Sequence, residues 1–126
     1  MYKVVAIRNY EFTRDIIVES QNSKQQYIAF DDAVLIGNDQ FSFMKEQEIY
    51  DCKLGILGEV NLSGEIFTVL SREKVGKMNL LKASNLDGNK FYLPATADVK
   101  IGSQIKLNVK RYDLLAVNSI INAKTL

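Results

Sequence analysis

The sequence contains no histidine, no tryptophan, one cysteine and one proline among its 126 residues. The absence of histidine excludes Ser-His-Asp and Cys-His nucleophile systems and histidine-based metal sites. The lone cysteine, Cys52, cannot form a thiolate zinc cage, a Cys-x-x-Cys redox pair or an internal disulfide. Neither glycine-rich phosphate-binding motif, G-x-x-x-x-G-K-S/T or G-x-G-x-x-G, occurs in the chain. These absences predict a protein that is not an enzyme, with no catalytic residue, cofactor or metal ligand to assign.

Long apolar runs are also missing. No run approaches the ~20 residues that a membrane-spanning helix needs. Met1 leads into the alternating segment YKVVAIRNY, whereas a secretory signal has a basic segment followed by an apolar run. An unpaired Cys52 is typical of a reducing compartment. We therefore expect a cytoplasmic protein with no membrane partner.

What the sequence does contain is the two-residue period of β-strands. Hydrophobic residues make up 47% of the chain, which is enough for a folded core. The clearest strand is the segment 104–111, where Ile105, Leu107 and Val109 alternate with Lys106, Asn108 and Lys110. Such alternation predicts one face in a core and one in water. No long window shows the helical period, so the sequence predicts an all-β protein.

The spacing of these strands and turns predicts a small barrel. Turn signals such as Asp87-Gly88 separate short apolar runs. Gly55 and Gly58 interrupt another alternating segment, and glycines inside strands mark the bulges and bends that turn barrel corners. We expect one or two closed or nearly closed barrels, OB-like or SH3-like in scale, because closure removes exposed sheet edges.

The two halves of the chain resemble each other. A shift of 64 residues aligns Val4–Phe30 with Thr68–Pro94 without a gap, and the order of strands and turns matches. An alternative alignment, with a gap in the second half, sets Glu48–Val60 against Gln104–Val117. We therefore expect two similar units of ~63 residues, 1–63 and 64–126, packed as one compact body. The competing interpretation is that any all-β chain resembles itself when it is slid by a hairpin length.

The net charge of +1 conceals an asymmetry between these units. Residues 1–63 carry six Lys and Arg against ten Asp and Glu, a net charge of −4. Residues 64–126 carry ten against five, a net charge of +5. The asymmetry suggests either a basic face for a polyanion or self-association of acidic half with basic half. The alternative is a fold that interleaves the halves, so that the opposite charges cancel locally.

Seven residues of the basic half form the candidate polyanion site. Arg72, Lys74 and Lys77 belong to a predicted loop, and Lys106, Lys110, Arg111 and Tyr112 to the outer face and end of the long strand. Lysine and arginine neutralise phosphates, and an exposed aromatic ring stacks on a base. The competing interpretation is a solvated strand face whose lysine stems cover apolar surface.

Two functions from different classes follow. The first is a non-enzymatic β-barrel binding module whose leading ligand is a polyanion such as single-stranded nucleic acid. The alternative is a structural or adaptor protein that self-assembles into a homo-oligomer, or docks another protein, through its oppositely charged halves.

Overall fold

The computed structural model describes residues 1–33, 40–95 and 99–123. These residues form nine β-strands: β1 Tyr2–Asn9, β2 Arg14–Ser20, β3 Gln26–Asp31, β4 Ile49–Tyr50, β5 Cys52–Val75, β6 Met78–Ser84, β7 Lys90–Pro94, β8 Gln104–Val117 and β9 Ile120–Ile121. No helix is present in the described ranges. The prediction of an all-β protein is confirmed.

All nine strands belong to one sheet. The order of hydrogen-bonded neighbours is β4-β1-β2-β3-β8-β5-β6-β7, and β9 pairs with β8. Neighbours pair antiparallel except β3 with β8, which run parallel. β8, from the second half of the sequence, thus lies between β3 of the first half and β5, which spans both halves.

The sheet is open. Its path has two ends, β4 and β7, and these do not pair with each other in the described part of the chain. The sheet does bend back on itself, because only Asp51 separates β4 from β5, and β7 makes one parallel bridge to β5 at Tyr92 and Gly55. The structure therefore supports the all-β class but supports neither a closed barrel nor an OB-like arrangement.

β5 is a single long strand where two were predicted. It spans 24 residues and pairs with β8 along most of its length. Val60 and Glu65 both face Leu107, so residues 61–64 form an insertion that bulges from the strand. Gly64 is required there, because a Cβ atom at this position would overlap the backbone of Leu107. The expected boundary between the units, at residue 63, lies inside this insertion.

The first two strands of each half have matching registers. Val4 of β1 pairs with Val18 of β2, and Val69 of β5 pairs with Ala83 of β6. Each residue of the second pair lies 65 positions after its counterpart. Both ladders contain a one-residue bulge directly after these valines. The same irregularity therefore recurs at the same register position.

The hairpin turns that follow also correspond. Tyr27 of β3 and Phe91 of β7 occupy equivalent register positions 64 residues apart. The second turn is therefore one residue shorter than the first. Lys24 (φ 64°) and Gly88 (φ 82°) both adopt the left-handed conformation in these turns. The ungapped shift of 64 residues therefore aligns β3 with β7 correctly. For the strands that precede the two turns, the shift that matches the registers is one residue longer.

A fourth strand completes each set. The Val4 N–H donates to the Glu48 carbonyl at 2.9 Å, and the Val69 N–H donates to the Ser103 carbonyl at 2.9 Å. The two carbonyl residues, Glu48 and Ser103, are 55 positions apart. This spacing is close to that of the alternative alignment, which sets Glu48 against Gln104. β3 pairs in parallel with β8, and β7 with β5. The third strand of each half therefore pairs with the fourth strand of the other half.

The main core draws on both halves. Its largest fully buried side chains include Val4, Ile16, Leu54, Phe67, Leu81, Phe91 and Leu114. A smaller cluster consists of Val75, Leu80, Tyr92 and Leu115. Ile28, which the sequence pattern places in the core, is 52% exposed, because its neighbours Tyr27 and Ala29 point inward. That core prediction is wrong.

Candidate binding surfaces

The cations of the predicted polyanion site are all exposed. Arg72 and Lys74 lie on β5, which continues through the segment that was predicted to be a loop, and Lys77 lies in the turn that follows. The Arg72 guanidinium donates to the Val99 carbonyl at 2.9 Å. Arg72, Lys74, Lys77 and Lys106 form no ion pair within the described part of the chain.

The other two predicted cations are already paired with carboxylates. Lys110 Nζ lies 2.5 Å from Glu59 Oε1, and Arg111 Nε lies 2.7 Å from Asp113 Oδ1. The hydrogen bond and charge of Lys110 lower the pKa of Glu59. A phosphate would have to compete with these carboxylates for both cations. These two ion pairs therefore make Lys110 and Arg111 weaker candidates for binding a polyanion.

Tyr112 does not present the exposed ring that was predicted. Its ring centroid lies 5.1 Å from that of Tyr27 and 5.3 Å from that of Phe91, inside the aromatic part of the core. Burial is the main cause that raises the pKa of Tyr112. Tyr112 also lines a cleft of about 500 Å³ between β3 and β8. Since aromatic neighbours already pack against this ring, it is not free to stack on a base.

A bulge in β8 explains this orientation. Val109 and Arg111 pair with consecutive residues of β5, so Lys110 is an extra residue in the ladder. One extra residue inverts the alternation of side chains beyond it. Tyr112 therefore points towards the core, whereas strict alternation would have placed it beside Lys110.

The charges of the two halves interleave. Two of the four ion pairs in the described ranges join an acidic-half residue to a basic-half residue: Lys53 with Glu73 at 3.7 Å, and Glu59 with Lys110. The pairing of β5 with β8 brings Glu59 close to Lys110, whereas Lys53 and Glu73 both lie on β5, which spans the two halves. The interleaved arrangement that the sequence left as an alternative is present at these positions.

An apolar groove of about 690 Å³ lies beside the β5 insertion. The residues that define it are Ile56, Val60, Leu62, Leu93, Ile105 and Leu107. Val60 and Leu62 form one lip and are 78% and 89% exposed. Contiguous exposed apolar surface of this kind is typical of interaction sites. The lining of the groove is predominantly apolar.

Sequence reasoning did not find this groove. The segment 58–64 contains Val60 and Leu62 between Gly58 and Gly64, and its glycines and polar residues are typical of a strand end and a turn. A signal was present, because two apolar residues within a glycine-flanked, otherwise polar turn are unusual. Whether such residues are buried depends on what packs over them, and that is a tertiary property.

Side chains that could ligate a metal do not cluster in the described ranges. No cluster of three or more His, Cys, Asp or Glu side chains able to hold a metal ion is found among them. Cys52 is buried, and burial raises the pKa of its thiol to about 12. No helix within these ranges is long and apolar enough to cross a membrane.

Comparisons with known proteins return nothing: no protein-family model, curated protein or solved structure matches the chain. The geometry of its surfaces must therefore carry any functional argument.

Proposed function

We propose that the chain is a non-enzymatic binding protein that assembles with a second copy of itself through the apolar groove. The observation that carries this proposal is the lip of the groove, where Val60 and Leu62 are 78% and 89% exposed. Leaving two such side chains in water forgoes the favourable free energy of their burial, roughly 1.5–3 kcal/mol for each. Contact with an apolar partner surface would recover it.

The charges around the groove favour a second copy as the occupant. Lys106 lines the groove on β8, and Glu59 lies between the lining residues Gly58 and Val60 on β5. The groove thus has a charge of each sign beside it, so a copy related by a two-fold axis can present Lys106 to the carboxylate of Glu59 in both directions. Two-fold contacts of this kind close as dimers and do not extend into filaments. A polyanion would meet the carboxylate of Glu59 beside the same groove.

The test is the oligomeric state measured by sedimentation velocity over a range of protein concentrations. The wild-type protein should form dimers as its concentration rises, and Leu62→Glu should shift it to monomers. Leu86→Glu is the matched control, because Leu86 is 79% exposed but lies in the β6–β7 turn, away from the groove. A wild-type protein that stays monomeric at high concentration, or equal effects of the two variants, would contradict the proposal.

Salt separates this contact from association through oppositely charged halves. Interactions between exposed charges weaken as salt shortens the Debye length from about 10 Å at 0.1 M. Apolar contact is much less sensitive to screening. We therefore expect the dimer to persist at high salt. Dissociation at high salt, with Leu62→Glu behaving like the wild type, would favour contact between the acidic and basic halves.

Polyanion binding is the second candidate function. Its support is the set of exposed cations that form no ion pair in the described ranges, Arg72, Lys74, Lys77 and Lys106. Phosphate neutralisation at such residues would need no aromatic stacking. This candidate ranks lower because Lys110 and Arg111 are paired and Tyr112 is packed.

A fluorescence-anisotropy titration of a labelled single-stranded oligonucleotide tests this second function. Lys74→Glu should weaken binding and reduce its salt dependence, whereas Lys45→Glu, an exposed lysine on a different segment, should have little effect. No binding by the wild-type protein at low salt would eliminate the candidate.

We further propose the cytoplasm as the location, on the basis of the single, unpaired Cys52.

A further inference from the structure

A polar cavity of about 400 Å³ opens where the β2–β3 and β6–β7 turns meet. We call it the turn cavity, and the lining residues that matter here are Ser20, Lys53, Glu73, Lys82, Asn89 and Tyr92. Its volume is within the range of small-molecule sites. It shares no lining residue with the apolar groove, so it is independent of the function proposed above.

The floor of the turn cavity is rigidly held by buried hydrogen bonds. Ser20 Oγ donates to Asn89 Oδ1 at 2.7 Å, and Asn89 Nδ2 donates to the Tyr27 hydroxyl at 2.8 Å. Asn89 Nδ2 also donates to Ser23 Oγ at 2.8 Å. A satisfied buried network of this kind resists rearrangement, because breaking it leaves polar groups unpaired. The floor is therefore preorganised.

The walls carry three ammonium groups, and among them only that of Lys53 forms an ion pair in the described ranges. Lys53 Nζ is 3.7 Å from Glu73 Oε2, which is beyond hydrogen-bond distance. Glu73 Oε2 is accordingly the one buried side-chain polar atom in the described ranges that has no hydrogen-bond partner. Lys82 has no ion pair there, and Lys90 Nζ donates to the Gly88 carbonyl. The lining contains these three lysines against the carboxylates of Asp51 and Glu73, so an anion is favoured.

Glu73 adds a hydrogen-bond acceptor to this positive wall. Its interaction with the Tyr92 hydroxyl, followed by the charges of Lys53 and Lys82, lowers the pKa of Glu73. Burial and the same interaction raise the pKa of Tyr92. At neutral pH the cavity therefore presents an ionised carboxylate and a neutral phenol beside the lysines. A ligand that has hydroxyl donors next to its anionic group satisfies both.

We propose that the turn cavity binds a small phosphate monoester that also carries free hydroxyl groups. Lys53 and Lys82 contact the phosphate, and Glu73 accepts hydrogen bonds from the hydroxyls. Free sugar phosphates and nucleoside monophosphates share this chemistry. A phosphate group offers several acceptor oxygens to a lysine ammonium group. The resulting hydrogen bonds are charge-assisted, and such bonds are stronger than those between neutral groups.

Isothermal titration calorimetry with four probes tests the proposal: ribose 5-phosphate, adenosine 5′-monophosphate, inorganic phosphate and ribose. Ribose 5-phosphate should bind at least about tenfold more tightly than inorganic phosphate, and ribose should bind far more weakly than either phosphate ester. Tighter binding of the nucleotide than of the sugar phosphate would identify a nucleotide site, and equal binding a sugar-phosphate site. Absence of binding by both esters at about 10 mM would overturn the proposal.

Variants assign the contacts. Lys82→Gln should weaken binding of ribose 5-phosphate by about tenfold or more. Lys45→Gln, at an exposed lysine outside the cavity, should leave it unchanged. Glu73→Gln should reduce the preference for ribose 5-phosphate over inorganic phosphate. Equal effects of Lys82→Gln and Lys45→Gln would show that binding is non-specific. Leu62→Glu should not alter phosphate binding, so failure of the groove proposal remains distinguishable from failure of this one.

Discussion

Asn89 shows how one side chain joins the two halves of the chain. Its Oδ1 accepts from Ser20, and its Nδ2 donates to Ser23 and Tyr27, all of which belong to the first half. The residue is only 4% exposed, so water cannot replace these partners readily. Every polar atom of the side chain is therefore used within the fold.

We expect Asn89→Ala to lower the free energy of unfolding by about 1–3 kcal/mol, because it removes the acceptor of the Ser20 hydroxyl proton and one of the donors to the Tyr27 hydroxyl. Asn108→Ala, at an exposed position of β8, should change it by less than about 0.5 kcal/mol. Urea unfolding monitored by circular dichroism measures both. Similar losses for the two variants would show that the buried network contributes little.

Cys52 offers a second test at the scale of a residue. Burial raises the pKa of its thiol to about 12 from an ordinary value of 9.0. The thiol is therefore protonated and inaccessible at pH 8, and iodoacetamide should label it slowly in the native protein and rapidly in urea. Because the folded state holds this proton more tightly, the stabilisation is complete below pH 9 and is lost as pH rises towards 12. Mass spectrometry measures the rate of labelling. Rapid labelling of the native protein would contradict the burial of Cys52.

At the scale of elements, the two hairpin turns solve the same geometric problem with different residues. The left-handed position is Lys24 in the first turn and Gly88 in the second. A residue with a Cβ atom is strained there, whereas glycine is not. The first turn therefore carries strain that the second avoids.

Exchanging these residues should have opposite effects on stability. Gly88→Lys should cost roughly 1–2 kcal/mol, and Lys24→Gly should stabilise the protein by up to about 1 kcal/mol. The double variant should lie near the sum, since no hydrogen bond or ion pair joins Lys24 and Gly88. Thermal and urea unfolding would measure all three. Destabilisation by Lys24→Gly would indicate that the lysine side chain makes a compensating contribution.

At the scale of the whole molecule, the registers of the two halves match strand by strand, including the bulges after Val4 and Val69. We propose that this pattern reflects an ancestral duplication. The third strand of each half pairs with the fourth strand of the other, so neither half completes its own sheet. We further propose that the two halves fold only as one body.

Fragments 1–63 and 64–126 test this proposal. Each fragment alone should give a poorly dispersed proton–nitrogen correlation spectrum, because it lacks the neighbouring strands and half of the shared core. Co-expression of both should restore the dispersion of the intact chain. A well-dispersed spectrum from either isolated fragment would show instead that the halves are autonomous domains.

The sequence alone was sufficient wherever local periodicity decides the outcome. Alternation predicted that Leu107 is buried and Lys106 exposed, and Asp87-Gly88 predicted the second hairpin turn. These features depend on neighbours along the chain, and the two-residue period of a strand is a local property.

Other features depend on which strands lie side by side, and only the tertiary structure decided them. The bulge at Lys110 turned Tyr112 inward, and the pairing of β5 with β8 brought Glu59 to Lys110. The cavity between the two turns exists because residues 69 positions apart, Ser20 and Asn89, meet in space. Strand register and long-range pairing follow from the summed packing of the whole core, so no local pattern specifies them.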